Sequence, residues 1–140
     1  NEIYQLVLLG EGGAALVIDY GARELRAGST LQAIRAHKKV DVFAAPGEAD
    51  ITAHVDFEML GKVAQRQGAS LLGVEMQGDW LRALGIETRT EALQRRAPDK
   101  APVIARQRDR LIAEDQMGLL FKVMGLAGAG WPNAAPGFSA

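Results

Sequence analysis

Residues 14–21 read Ala14-Ala15-Leu16-Val17-Ile18-Asp19-Tyr20-Gly21, and the fold depends on how this stretch is taken. A short apolar run with β-branched residues and bounding glycines predicts a strand over 14–19. The run does not alternate with polar residues. That pattern predicts burial on both faces, as in a central strand of a parallel sheet covered by helices. Open α/β sheets bind ligands in the crevice beyond the carboxyl ends of such strands. The Asp19 carboxylate and the Tyr20 phenol stand at that end and offer hydrogen bonds to a substrate or cofactor edge. The plainer role for Asp19 is to receive backbone donors in the turn.

Upstream, residues 4–9 are mostly apolar and fit either the end of a helix or another strand. Gly10-Glu11-Gly12-Gly13-Ala14-Ala15 follows a loose G-x-G-x-x-A pattern. A dinucleotide-binding turn of that pattern opens a helix, whose free N–H groups meet the pyrophosphate. Here the glycines run into a strand, which makes them a turn.

Downstream, residues 30–34 predict a second strand, although their alanine also suits a helix. Residues 38–50 contain Pro46-Gly47 and predict an irregular surface loop. Phe57, Leu60, Val63 and Ala64 recur at helical spacing, so 56–67 predicts a helix capped by Asp56 and stopped by Gly68. A third strand is expected over 69–76 and short helices over 78–85 and 88–96. A charged amphipathic helix follows over 103–115, then a fourth strand over 119–126. The tail, 127–140, is rich in Gly and Pro and predicts a loop or a disordered end.

The densest polar cluster is Asp50-Ile51-Thr52-Ala53-His54-Val55-Asp56-Phe57. In an extended segment, Asp50, Thr52, His54 and Asp56 share one face. Such a face positions a guanidinium or carries a proton-accepting histidine. The plain alternative makes Asp56 a helix cap and His54 a satisfied loop residue. A metal site on His54 and Asp56 has no evident third ligand, and none is assigned.

Composition narrows the classes. A length of 140 residues suits one domain, and 48% hydrophobic with 24% charged residues excludes wholesale disorder. Sixteen Lys and Arg against seventeen Asp and Glu leave no global field for polyanions, so a nucleic-acid partner is not expected. The chain has no cysteine, which excludes disulfides, thiolate metal sites and a thiol nucleophile. No stretch approaches the roughly 18 apolar residues of a membrane span. Serine-hydrolase, P-loop and zinc-protease signatures are missing from the sequence.

Several segments, in order, resemble the C-terminal half of the MidA-type S-adenosylmethionine-dependent methyltransferases. The likeness is carried by Ala15-Leu16-Val17-Ile18-Asp19-Tyr20-Gly21, by Thr30-Leu31-Gln32-Ala33 with His37, and by the stretch from Pro46 through Phe57. It continues in Gln77-Gly78-Asp79-Trp80-Leu81 with Leu84-Gly85-Ile86, and in Asp115-Gln116-Met117-Gly118 with Phe121-Lys122-Val123. The resemblance implies a Rossmann-like class I α/β fold, with residues 1–126 as the C-terminal part of its sheet and flanking helices and 127–140 as a tail. It implies S-adenosylmethionine as cofactor and an arginine of a partner protein as acceptor. Mitochondrial members of the family methylate a protein arginine and act as complex I assembly factors.

The family's cofactor-binding glycine loop and ribose-binding acid precede the matched region, and neither is recognisable in this chain. The chain is therefore expected to be a piece carrying the acceptor-facing wall, with Asp19, Tyr20, Asp50, His54 and Asp56 as the groups available to hold a guanidinium. The competing expectation is a non-catalytic binding or assembly module derived from such an enzyme. A gene that encodes an upstream strand, glycine-rich turn and helix favours the enzyme; one that begins near Asn1 favours the module. The expected location is the bacterial cytoplasm, or the mitochondrial matrix in a eukaryote. A sheet edge left open in a half-domain also favours pairing with another chain.

Overall fold

The computed structural model describes residues 12–23, 28–132 and 134–138. The elements in chain order are β1 (Ala14–Ala22), β2 (Gln32–Arg35), β3 (Lys38–Val40), β4 (Asp50–Thr52), β5 (Val55–Asp56) and α1 (Phe57–Arg66). They continue with β6 (Ser70–Met76), α2 (Gln77–Ala83), α3 (Ile86–Arg96), α4 (Ala101–Ile112) and β7 (Phe121–Ala127). The architecture is α/β: a four-stranded sheet in the order β5-β1-β7-β6 with flanking helices, and a separate three-stranded sheet β3-β2-β4. The apolar segment 4–9 and the Asn1-Glu2 pair lie outside the described residues.

The strand over 14–19 forms, but its setting differs from the parallel, doubly buried one expected. β1 runs antiparallel to β7 along its length, with Leu16 opposite Gly125 and Ile18 opposite Val123. Its only parallel contact among the described residues is the short bridge of Gly21 and Ala22 to Val55 and Asp56. Leu16 and Ile18 are 53% and 48% exposed, so one face of β1 is open among the described residues. An unbroken apolar run reports what both faces can tolerate, not which neighbours cover them.

The other face of β1 carries Ala15 and Val17 into the core, which centres on Phe57, Ala64, Ala69, Met124 and Leu126. Helix α1 lies on that face for reasons visible in its sequence. The Asp56 carboxylate accepts from the Met59 N–H at 2.8 Å and caps the first turn. Phe57, Gly61 and Ala64 then bury one helical stripe. At the far end Gly68 takes a left-handed φ of 88°. Its N–H reaches Gln65 O at 3.0 Å and that of Ala69 reaches Ala64 O at 3.1 Å, the paired bonds of a Schellman stop.

Residues 38–50 are not wholly irregular, as expected, but contribute β3 and the first residue of β4. Ala36 and His37 form the β2–β3 turn, both at positive φ (50° and 61°). A two-residue hairpin turn of this kind usually announces itself with Asn-Gly or Asp-Gly. Ala-His carries no such signal, so the hairpin was hidden in the sequence.

The helices expected over 78–85, 88–96 and 103–115 appear as α2, α3 and α4. After α4 the chain makes a wide turn, Glu114–Gly118, before β7. Gly118 packs so closely on the end of α4 that a Cβ there would collide with Ile112 O, which explains the glycine. Residues 134–138 of the tail return to the sheet. The Phe138 ring lies over Gly73 and Gly125, where a Cβ would approach it to 2.9 and 2.8 Å. Trp80 packs on Phe138 with ring centroids 6.2 Å apart.

Candidate functional site

Three rings converge at the carboxyl end of β1. Tyr20 and Phe121 are cross-strand partners. Their rings meet edge to face with centroids 5.8 Å apart. Tyr20 also meets the His54 imidazole edge to face, at 5.7 Å and 75°. The short β1–β5 bridge brings this about. Because Gly21 pairs with Val55, the residues just before them, Tyr20 and His54, are set side by side. A backbone bond then anchors the histidine: the His54 N–H donates to Thr30 Oγ1 at 3.0 Å. Close by in the chain, Thr52 Oγ1 is buried and has no partner among the described residues.

The five residues singled out from the sequence do not form one group. Tyr20 and His54 come together as described. Asp19 is half-buried, and its Oδ1 accepts from the Tyr20 N–H at 2.8 Å; it receives a backbone donor, but inside β1 and not in a turn. Side chains alternate along a strand, so Asp19 and Tyr20 leave β1 on opposite faces. Asp50 stands exposed at the start of β4, in the small sheet. Asp56 is engaged as the cap of α1. The extended run that would align Asp50, Thr52, His54 and Asp56 is interrupted at residues 53–54, between β4 and β5.

Two members of the cluster, Phe121 and Thr30, lie in segments that carry the family resemblance but are not among the site residues expected from the sequence. Phe121 opens β7 and lies about a hundred residues from Tyr20, so only the sheet register connects them. Thr30 precedes a strand with nothing local to mark it as an acceptor. Among the described residues no group of three His, Cys, Asp or Glu is placed to hold a metal ion. No described helix is long and apolar enough to cross a membrane.

The fit to S-adenosylmethionine is tested at the strand-to-helix junctions, where a glycine-rich turn would present free N–H groups. At β5–α1 the Asp56 carboxylate already occupies the Met59 N–H. At β6–α2 the chain passes from Met76 into Gln77 with no loop. A Cβ on Gly78 there would lie 2.8 Å from Ile112 O, so that junction is closed by α4. The glycines at 12 and 13 lead into β1, not a helix. The described residues therefore do not by themselves form a cradle for this cofactor.

A family model of S-adenosyl-L-methionine-dependent methyltransferases matches residues 2–75, more than half of the chain. The mitochondrial protein arginine methyltransferase NDUFAF7 of Xenopus tropicalis is 39% identical over 113 residues, covering 79% of this chain and 26% of the relative. The human NDUFAF7 is 37% identical over 128 residues, covering 90% of this chain and 28% of the relative. This chain thus spans about a quarter of the length of the curated relatives it matches. Two crystal structures of Burkholderia thailandensis proteins from one superfamily share its fold. The first superposes with a TM-score of 0.78 at 29% identity, over 99% of this chain and 37% of the other. The second, with S-adenosyl-homocysteine bound, gives 0.72 at 32% identity, over 91% of this chain and 33% of the other. The Rossmann-like α/β architecture, the family match and these relatives agree: the chain belongs to the MidA-type family of S-adenosylmethionine-dependent methyltransferases.

Proposed function

We propose that this chain carries the acceptor-facing part of a protein arginine methyltransferase, with the cofactor held by other parts of the family's longer chain. The observation that supports this is the Tyr20–His54–Phe121 cluster at the carboxyl end of β1. Such a cluster suits a guanidinium. The flat cation stacks on or beside aromatic rings, and its N–H groups donate to an imidazole nitrogen or a phenol oxygen. His54 and Tyr20 take those roles in this reading, and Thr30 fixes the backbone that carries the imidazole.

The arginine methyltransferase relatives support an arginine of a protein partner as acceptor; a partner of the respiratory complex I type is what the family resemblance implies. The mitochondrial relatives support a matrix location in a eukaryote; a bacterial protein of this kind is read as cytoplasmic. The reading includes self-association through an open edge of the sheet. A non-catalytic assembly module is the second reading, favoured by the closed strand-to-helix junctions described above.

The acceptor role is tested by titrating the chain with a short arginine-containing peptide and following the ring resonances of Tyr20, His54 and Phe121 by NMR. The expected result is a saturable shift of all three rings, lost in H54A and absent with a lysine peptide. Unchanged rings, or equal shifts from the lysine peptide, contradict the proposal.

A further inference from the structure

The helical layer contains a second feature that the acceptor site does not use. Helices α3 and α4 form a hairpin, closed by the short turn Pro98–Lys100 and tied by Gln94 Nε2 donating to Ala101 O at 3.2 Å. Along their seam, with the end of α2 closing one side, runs a groove of about 430 Å³. Its floor is apolar: Leu93 of α3, Ile104 and Leu111 of α4, and Leu84 after α2. Three of these leucines stay open to solvent, Leu84 at 44% and Leu93 and Leu111 at 38% each. Solvated leucines along one seam are the mark of a surface built to be covered.

The rim has the opposite character. Arg89 and Arg108 border the groove. Arg108 is paired with its neighbour Asp109. Arg89 has no carboxylate partner among the described residues. The charge is also segregated along the chain. Residues 86–112 hold seven Lys and Arg against four Asp and Glu, whereas the rest holds nine against thirteen. An apolar floor inside a basic rim complements a ligand that is apolar on one face and acidic at its borders.

The dimensions select among such ligands. Lining residues recur at helical spacing on both walls, from Ile86 to Leu93 on α3 and from Ile104 to Leu111 on α4. Seven residues at about 1.5 Å rise give each wall about 10 Å, or two helical turns. That length accepts two turns of a third helix lying across the hairpin. The geometry points to a docking site for an acidic amphipathic helix of a partner protein, with apolar residues at i, i+3, i+4 and i+7 flanked by Asp and Glu. The inference builds on the reading that the acceptor is a protein, because a groove apart from the acceptor site recognises the partner and not the arginine.

The test uses the whole chain and a fluorescein-labelled model peptide of about four turns, ~14 residues, with leucines at that spacing and flanking glutamates. The peptide contains no arginine, so its binding does not depend on Tyr20 or His54. Saturable anisotropy is expected, at least about tenfold tighter than for the same peptide with flanking lysines. Leu93→Asp and, separately, Leu84→Asp abolish binding while circular dichroism stays unchanged. Arg89→Glu weakens the glutamate peptide about tenfold and improves the lysine peptide. Equal binding of both peptides overturns the proposal, as does retention of binding in the two leucine variants. Three further outcomes also overturn it: decanoate binding in the groove while the peptide does not, which makes it an amphiphile site; self-association abolished by Leu93→Asp, which makes it a contact between copies; or peptide binding to the 140-residue chain that is lost in the family's full-length protein, which makes it a seat for that protein's own remaining chain. Should the peptide bind while the arginine titration fails, the groove stands and the acceptor reading falls.

Discussion

Gly21→Val is expected to lower the stability of the chain by about 3 kcal/mol or more, which is roughly 10 °C in melting temperature at this size. A Cβ on Gly21 would lie 2.2 Å from Val55 O and 2.8 Å from the Phe57 ring. The first contact is with backbone and cannot be relieved by a rotamer change. The strands must separate, and the Gly21–Val55 and Ala22–Asp56 bridge is lost. That bridge also sets His54 beside Tyr20. Chemical denaturation should therefore show the stability loss, and NOEs between the Tyr20 and His54 rings should vanish in the residual folded state. A variant within about 0.5 kcal/mol of the parent, with the ring contact intact, contradicts the registry described for β1 and β5.

Phe57→Ala is expected to cost about 3–5 kcal/mol, the range for deleting a fully buried aromatic side chain. Phe57 is 0% exposed and is among the largest wholly buried side chains. It begins α1 one residue after the Asp56 cap, so its ring pins the first turn of the helix under the β1–β5 bridge. Phe57→Leu retains most of the volume and is expected to cost under half as much. A urea titration comparing the two variants checks this. Similar losses for both point to a disrupted helix start and not to a cavity.

These two residues show which parts of the structure were legible beforehand. Helix α1 was readable because its information is local: an Asp cap, apolar residues at helical spacing, and a glycine in the left-handed stop. Phe57 belonged to that pattern. Gly21 was readable only as the end of a strand, because its requirement arises from Val55, brought beside it by the fold. The same distinction governs the sheet. The existence of β1 and β7 followed from their apolar runs, but antiparallel pairing between them depends on a register spanning most of the chain. The β2–β3 hairpin turns on Ala36-His37, a pair with no turn signature, so 30–34 reads as a strand while its partner β3 reads as loop.

The candidate site divides in the same way. Asp19, Tyr20, His54 and Asp56 were picked out as polar residues at a strand end and in a dense cluster. The structure joins Tyr20 and His54 and gives Asp19 and Asp56 backbone donors. Their partners Phe121 and Thr30 are supplied by distant segments and have no individual signature. The alternation of residues 50–56 implied one continuous face, which the break between β4 and β5 removes.

The central proposal is a division of labour in which this chain shapes the acceptor side and the methyl donor is gripped elsewhere in the family's longer protein. Isothermal titration of the 140-residue chain with S-adenosylmethionine tests it most directly. The account predicts no saturable heat, because the β5–α1 junction is capped by Asp56 and the β6–α2 junction is closed by Ile112. Saturable binding of one equivalent would contradict it and show that the chain holds the cofactor on its own.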